Sequence, residues 1–509
     1  MRAGALLRRR DLPGLAAALI CPLPAGKALA AERSGDAAAS DMVLSERRQI
    51  FQGHGYQVWL PALRPGLPVP AFLERMRARF VRMSITAPVP NAAIRPGDSL
   101  EAMRLILRAA YEGRDRAGHA RIRASPTPGP RERLLASMPL LARLGIETIA
   151  IVWDAPESLR ADRVGKAGHA RILPAEAVED YARLITAQLL EIERISPDCL
   201  PAYVEAPNEP EGTWSTQIGA EAYAAFIRSL RAQMDAAGLQ QIGLLGPGNG
   251  SLRAARDYVW MLRRPGAPAI DAIAGWSAHV WDNRIDDAPP VVHLGREWRD
   301  AIAAVPKSLF ITEYNADGDR WNEPPFACGP RTTVQSRCNG LSADEDLRYG
   351  LNIAQQSLAL IADGAAALVL WEAQDQQWGK RLGALDPAGR PKPAAKALAA
   401  FMPFIPRDAR VLVPRGGAPD GTTLCGFLGE DGRFVMAMAA TGADPARRQQ
   451  VRVDLAGRPG EIRWRSYPAD AAAGMRAEQS PDGLQLSFQP QARDFVVSAT
   501  MHMAEGGGR

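Results

Sequence analysis

Cysteine and histidine are scarce, at five and six in 509 residues. No Cys-x-x-Cys pair and no His/Cys cluster occurs, so the spacings that build a dedicated metal site are missing and neither a metal nor an organic cofactor is expected. No uninterrupted apolar run reaches the ~18 residues that would cross a bilayer. No basic run recurs beyond the first residues, which removes the usual footprint of a nucleic-acid binder. Gly246-Pro247-Gly248-Asn249-Gly250-Ser251 lacks the Gly-Lys-Ser/Thr ending of a phosphate loop and is read as a flexible barrel loop.

What is present is a folded protein's composition, 47% hydrophobic and 23% charged, long enough for two domains. The net charge is +5, yet the first thirty residues hold five bases and one acid, so about +1 is left for the remainder. Those residues run Arg8-Arg9-Arg10-Asp11-Leu12, a weak apolar core to Leu23, then Ala28-Leu29-Ala30. This is the order of a twin-arginine-like export signal cleaved after Ala30, which makes the mature protein periplasmic or secreted. Ile20 is too large to precede a lipid-anchored Cys21. Cys328 and Cys338 flank a short loop that an oxidising compartment could close as a disulfide, whereas Cys199 and Cys425 read as buried free thiols.

Between residues 56 and 403, short aliphatic runs alternate with helical stretches. Eight strands are expected: Gln57–Leu60, Phe80–Ile85, Thr148–Trp153, Ala202–Ala206, Ile242–Leu245, Gly275–His279, Ser308–Glu313 and Ala366–Trp371. Their number favours an α/β fold, a (β/α)8 TIM barrel, over an open doubly wound sheet, which would carry its glycine-rich turn after the first strand; Gly53-His54-Gly55 precedes it. Residues 404–500 change to short alternating runs at hairpin spacing, a C-terminal antiparallel β-sandwich, and 501–509 read as a disordered tail.

In such a barrel the reacting groups sit where strands end. Glu209 follows the fourth strand in Val204-Glu205-Ala206-Pro207-Asn208-Glu209-Pro210, and Glu313 closes the seventh in Phe310-Ile311-Thr312-Glu313-Tyr314. Two carboxylates facing each other across a barrel mouth can flank one glycosidic bond, one as acid and one as nucleophile. Glu205 shares the strand face of Glu209 by period-two alternation and reads as a buried contact below it.

Asn-Glu-Pro after the fourth strand and aliphatic-Thr-Glu-Tyr on the seventh resemble the retaining β-glycosidases of glycoside hydrolase clan A. Arg82 on the second strand, His279 on the sixth and Trp371 closing the eighth match the same pattern in order. Within the clan the sequence is most similar to glycoside hydrolase family 30, through Trp153-Asp154-Ala155-Pro156 and the Lys392-Pro393 helix before the sandwich, over about residues 50–500. In that family the strand before the barrel joins the sandwich, which would place Met42–Gln52 there.

The resemblance implies Glu313 as nucleophile and Glu209 as acid then base, its pKa raised by burial and by Glu313. It implies Asn208 on the sugar 2-hydroxyl, Arg82 and His279 holding Glu313 ionised, and Trp371 under the sugar, with Trp153 also lining the site; Tyr314, following the nucleophile, reads equally as a packing residue or as part of the site. Trp214, Trp281, Trp321 and Trp378 fall in loops after barrel strands, where aromatic platforms for neighbouring sugars are useful; Trp59 reads as core. Glu372, Asp375, Asp154, Asp282, Asn283 and Asp319 are hydroxyl partners or ordinary loop residues.

The expected function is an exported retaining hydrolase of a β-linked oligosaccharide, polysaccharide or glycoconjugate. The alternatives are an endo-acting exopolysaccharide hydrolase or transglycosylase, a non-catalytic carbohydrate-binding protein on the same scaffold, and a structural envelope protein using the sandwich.

Overall fold

A computed structural model of the chain describes residues 40–84, 93–112, 129–165, 168–265, 268–281, 292–316, 347–375, 382–419, 421–455, 458–480 and 483–504. The expected export segment, Cys328 and Cys338, Trp321, Trp378, Asp282, Asn283 and Asp319 lie outside the described residues.

Eight parallel strands close into a barrel: Gly53–Gln57, Phe80–Ser84, Glu147–Ile151, Tyr203–Glu205, Gly243–Asn249, Gly275–Val280, Leu309–Tyr314 and Ala365–Leu370, numbered one to eight in chain order. Two depart from expectation. The first begins at Gly53, and Leu60 belongs to a 3-10 turn over Leu60–Ala62. Its residues carry little apolar signal because a Cβ at Gly55 would come within 2.1 Å of the Phe80 carbonyl, so the second strand leaves room only for glycine. The fifth continues through Gly246-Pro247-Gly248 to Asn249, so the glycine-rich stretch expected as a flexible loop is strand.

Helices cover the outside. Val178–Ile195 shows why: Tyr181, Ala182, Ile185, Leu189 and Ile192 recur at helical spacing and are all buried, while Glu179 and Asp180 occupy the first turn, where the helix dipole favours acids. Inside the barrel, Phe80, Ile149, Leu245, Phe310, Ala367 and Val369 form the lower packed layer. Phe80 and Tyr203 lean on the Phe310 ring at centroid distances of 5.7 and 5.2 Å. Two residues further along strands two and four stand Arg82 and Glu205, which strand alternation puts on the same inner face. An apolar floor therefore carries a polar layer at the mouth.

The sandwich is a ten-stranded sheet, mostly antiparallel. The strand Ser40–Phe51 runs antiparallel beside Ala409–Pro414 and parallel beside Gln449–Val453. Leu44, Leu412, Phe434, Met436, Val451, Leu486, Phe488 and Val497 fill its core. Its last strand, Phe495–Ala504, carries the fold into the segment expected to be a tail, because each residue to His502 pairs with the strand Arg433–Ala440. Ala472–Ser480 is also a strand, one that its Ala- and Glu-containing sequence does not announce.

The sandwich docks on the helix Leu347–Ala362, where Gln355 Nε2 donates to the Gly421 carbonyl at 3.0 Å. Cys199 and Cys425 are buried free thiols. Among the described residues no helix is long and apolar enough to cross a membrane.

Candidate active site

Arg82 organises the mouth. Its side chain is fully buried, and a cation there persists only if its donors are satisfied. Nε donates to Glu205 Oε2 at 2.8 Å, one terminal nitrogen to Gln57 Oε1 at 3.0 Å and to Glu313 Oε1, and the other to Asn208 Oδ1 at 2.5 Å. Glu205 takes a further hydrogen bond from Thr312 Oγ1 at 2.6 Å. Burial alone would raise its pKa, but Arg82, His279 and Thr312 hold it far below the ordinary carboxylate range. Glu205 is thus a permanent anion beneath the site, as its strand face suggested.

Glu313 reaches the interior through an irregularity. Ala278 pairs with Ile311 but His279 pairs with Glu313, so Thr312 is an extra residue in the seventh strand. The bulge lets both Thr312 and Glu313 face inward, a common use of bulges beside reactive groups. Tyr314 then points out: it is buried, with its hydroxyl 2.8 Å from Ser357 Oγ on the helix outside the barrel. Of the two readings open to it, Tyr314 takes packing.

Glu209 has φ of +44°, in the left-handed region that non-glycine residues seldom adopt. Its amide donates to the Gly248 carbonyl at 3.1 Å, and its own carbonyl accepts from Gly212 and Ser215. The glycines of strand five make room for both acids: a Cβ at Gly248 would lie 2.7 Å from Glu205 Oε1, and one at Gly250 2.9 Å from Glu209 Oε1.

His279 departs from its expected partner. Nδ1 is 2.8 Å from Glu209 Oε1 but 3.6 Å from Glu313 Oε2. Burial would lower its pKa; Glu313, Glu205 and Glu209 together carry it up to about 10, so the ring is a cation at neutral pH. The expected ordering of the two acids is reversed in the free site. Burial raises Glu209, but the His279 and Trp214 hydrogen bonds outweigh it and leave it below the ordinary value, while burial lifts Glu313 against the pull of Arg82 and His279. With Arg82 and His279 as cations and Glu205 as an anion, one proton shared between Glu209 and Glu313 makes the group neutral.

An oxygen of Glu209, an oxygen of Glu313 and a nitrogen of His279 lie within 4.8 Å of one another. Ligand-type atoms so placed could hold a metal, which would have to displace the proton that the surrounding acids draw onto His279.

The aromatic residues ring this centre. Trp214, 57% exposed, donates its indole N–H to Glu209 Oε2. Trp281 Nε1 donates to Glu313 Oε2 at 3.1 Å and sets its ring edge against half-buried Trp371 at 5.3 Å. Trp59, expected in the core, lies past the end of the first strand, stacked on Trp153 at 6.4 Å with its N–H on Glu372. Asn208 keeps its Nδ2 buried without an acceptor among the described residues, a donor that a ligand could use. Asp375 pairs with Lys392 at 2.9 Å and Asp154 with Arg171 at 2.8 Å, which gives both a structural partner.

Sequence reasoning missed Glu211, whose carboxylate accepts from Gly250 N at 2.7 Å and Asn249 Nδ2 at 2.6 Å. Its position two residues after Glu209 was the available signal.

No family model and no curated protein matches the sequence. Solved structures do. A GH30 endoxylanase from Clostridium papyrosolvens is similar with a TM-score of 0.63 at 12% identity, over 92% of this chain and 100% of that one. The catalytic domain of a GH30 xylanase from Talaromyces cellulolyticus gives 0.63 at 14%, over 91% and 100%. An endo-β1,6-glucanase gives 0.59 at 14%, over 93% and 96%. The likeness spans barrel and sandwich together, so the chain has the GH30-like fold of clan A that its strand-end residues suggested.

Proposed function

We propose that the protein is a retaining glycoside hydrolase acting on β-linked sugars through Glu313 and Glu209. The observation that carries this reading is the approach of an oxygen of Glu209, just past strand four, to within 4.8 Å of an oxygen of Glu313 on strand seven. Double displacement needs about 5–5.5 Å between the carboxyl groups, whereas inversion needs room for a water at ~6.5–9.5 Å. GH30 hydrolases of the same fold support the class of reaction.

Glu313 attacks the anomeric carbon while Glu209 gives its proton to the departing oxygen. Glu209 then takes a proton from water, which breaks the glycosyl-Glu313 ester from the opposite face and restores the original configuration. His279 Nδ1, 2.8 Å from Glu209 Oε1, orients the acid toward the departing oxygen. Arg82 and Trp281 then satisfy the two oxygens of ionised Glu313.

Trp214 and Trp281 each donate to one of the two acids, Trp371 meets the Trp281 ring and Trp59 stacks on Trp153, aromatic surface that suits an oligosaccharide or polysaccharide. Export rests on Arg8-Arg9-Arg10 and Ala28-Leu29-Ala30; a mature chain beginning at Ala31 checks it. Turnover of a panel of aryl β-glycosides, β-xylan and β-glucans, with the product anomer followed by NMR, tests the reaction. Release of the β-anomer supports it; the α-anomer as first product would sink it.

Gly250 offers a test of positioning. Adding one methyl group in Gly250→Ala places a carbon 2.9 Å from Glu209 Oε1. A displaced acid typically costs roughly 10- to 100-fold in turnover. The expected result is a fall in kcat/KM of that size with a melting temperature within a few degrees of wild type; equal activity would show that Glu209 works from elsewhere.

A further inference from the structure

Between the helices Ala255–Leu262 and Arg296–Ala304, on the outside of the barrel, lies a groove of about 440 Å³ whose residues take no part in the reaction above. Its volume falls in the range of small-molecule sites, about 300–1,000 Å³. Trp260 stands on its edge 63% exposed, the most exposed large apolar side chain among the described residues. Helical spacing gives the reason for its exposure and no reason for its presence: Ala255, Tyr258, Val259 and Leu262 form the buried face of that helix, and Trp260 faces away from it. Trp298, buried, forms the wall, its N–H donated to the Leu252 carbonyl at 3.2 Å.

The rim balances Arg256 and Arg263 against Asp257 and Asp300, so it has no net charge to recruit an anion or a cation. An open indole face flanked by guanidinium and carboxylate groups matches a neutral ligand with one apolar face and many hydroxyls. Leu252, at one end of the groove, is two residues from Gly250, which abuts Glu209.

We propose that this groove is a second carbohydrate-binding site, which holds a distant stretch of a neutral polysaccharide by stacking a sugar on Trp260. The inference rests on the hydrolase reading for its ligand class but not on any catalytic residue.

The test compares wild type with Trp260→Ala in native gels cast with soluble β-xylan or β-1,6-glucan, and in hydrolysis of the same polymers against an aryl β-glycoside. Trp260 is exposed, so coincident melting curves are expected for the two proteins. The expected result is retardation of wild type by at least one polymer, lost in the variant, and a fall of about tenfold in the ratio of polymer to aryl-glycoside kcat/KM. Equal retardation of the two proteins, or none of wild type in either polymer, would overturn the site. Loss of retardation in a protein that hydrolyses nothing would sustain the site and sink the hydrolase instead.

Discussion

Glu313→Ala is expected to lower kcat on every substrate by roughly 10⁴-fold or more, about 5.5 kcal/mol in the barrier. The size follows from what is removed. Without the carboxylate no glycosyl ester can form, and Arg82 and Trp281, which hold its two oxygens, are left aimed at an empty space. That space also defines a chemical rescue. Azide is small and anionic, fits where a carboxylate was, and attacks the anomeric carbon from the same side, so the product is the α-glycosyl azide, of inverted configuration. Restored turnover giving that product identifies Glu313 as the nucleophile. A variant that keeps a tenth of wild-type activity removes it from that role. Folding is separable: loss of the Glu313 negative charge leaves Glu205 to balance Arg82, so the buried guanidinium keeps a partner at 2.7 Å and the barrel is expected to stay closed.

The parts of this centre legible in the sequence are those set by the strands themselves. The apolar runs of strands two to eight, and polar residues two steps beyond Phe80 and Tyr203, place Arg82 and Glu205 on an inner face by local geometry alone. Asn208, Glu209 and Glu313 follow from standing at strand ends. What stayed hidden depends on the neighbour across the barrel. Strict alternation gives no warning that Thr312 is a bulge, which turns Glu313 inward and Tyr314 outward; the bulge exists only relative to the register with His279. The partner of His279 is likewise a matter of which acid approaches its Nδ1, and a +44° φ at Glu209 brings that acid closer than Glu313.

The glycine-rich stretch in strand five was misread for a related reason. Gly246, Gly248 and Gly250 leave room for Tyr223, Glu205 and Glu209, and Gly248 also takes a φ of +62°. Trp59 shows the same limit from the aromatic side: its place near a strand reads as core, yet it stands past the strand end against Trp153.

Glu209→Ala is expected to separate the two steps of the reaction. General acid catalysis is worth about 10²- to 10⁴-fold, and only where the leaving oxygen needs a proton. Alkyl and unactivated aryl glycosides should lose activity on that scale, whereas a dinitrophenyl glycoside should still glycosylate Glu313 and release a burst of phenol. The second step then limits, because water has lost its base. Azide needs none, so it should accelerate turnover and yield the β-glycosyl azide, opposite in configuration to the product from Glu313→Ala.

The pH profile supplies an independent sign. The active form carries one proton on the Glu209 and Glu313 pair, and its loss on raising the pH is a property of the pair. In Glu209→Ala the proton is no longer required for an activated substrate, so the alkaline limb of kcat/KM should disappear while the acidic limb, ionisation of Glu313, remains. A uniform loss across leaving groups with no response to azide would exclude Glu209 as the acid. The role would then pass to Glu211, whose carboxyl burial raises above the ordinary range and whose oxygens face Gly250 beside the same site.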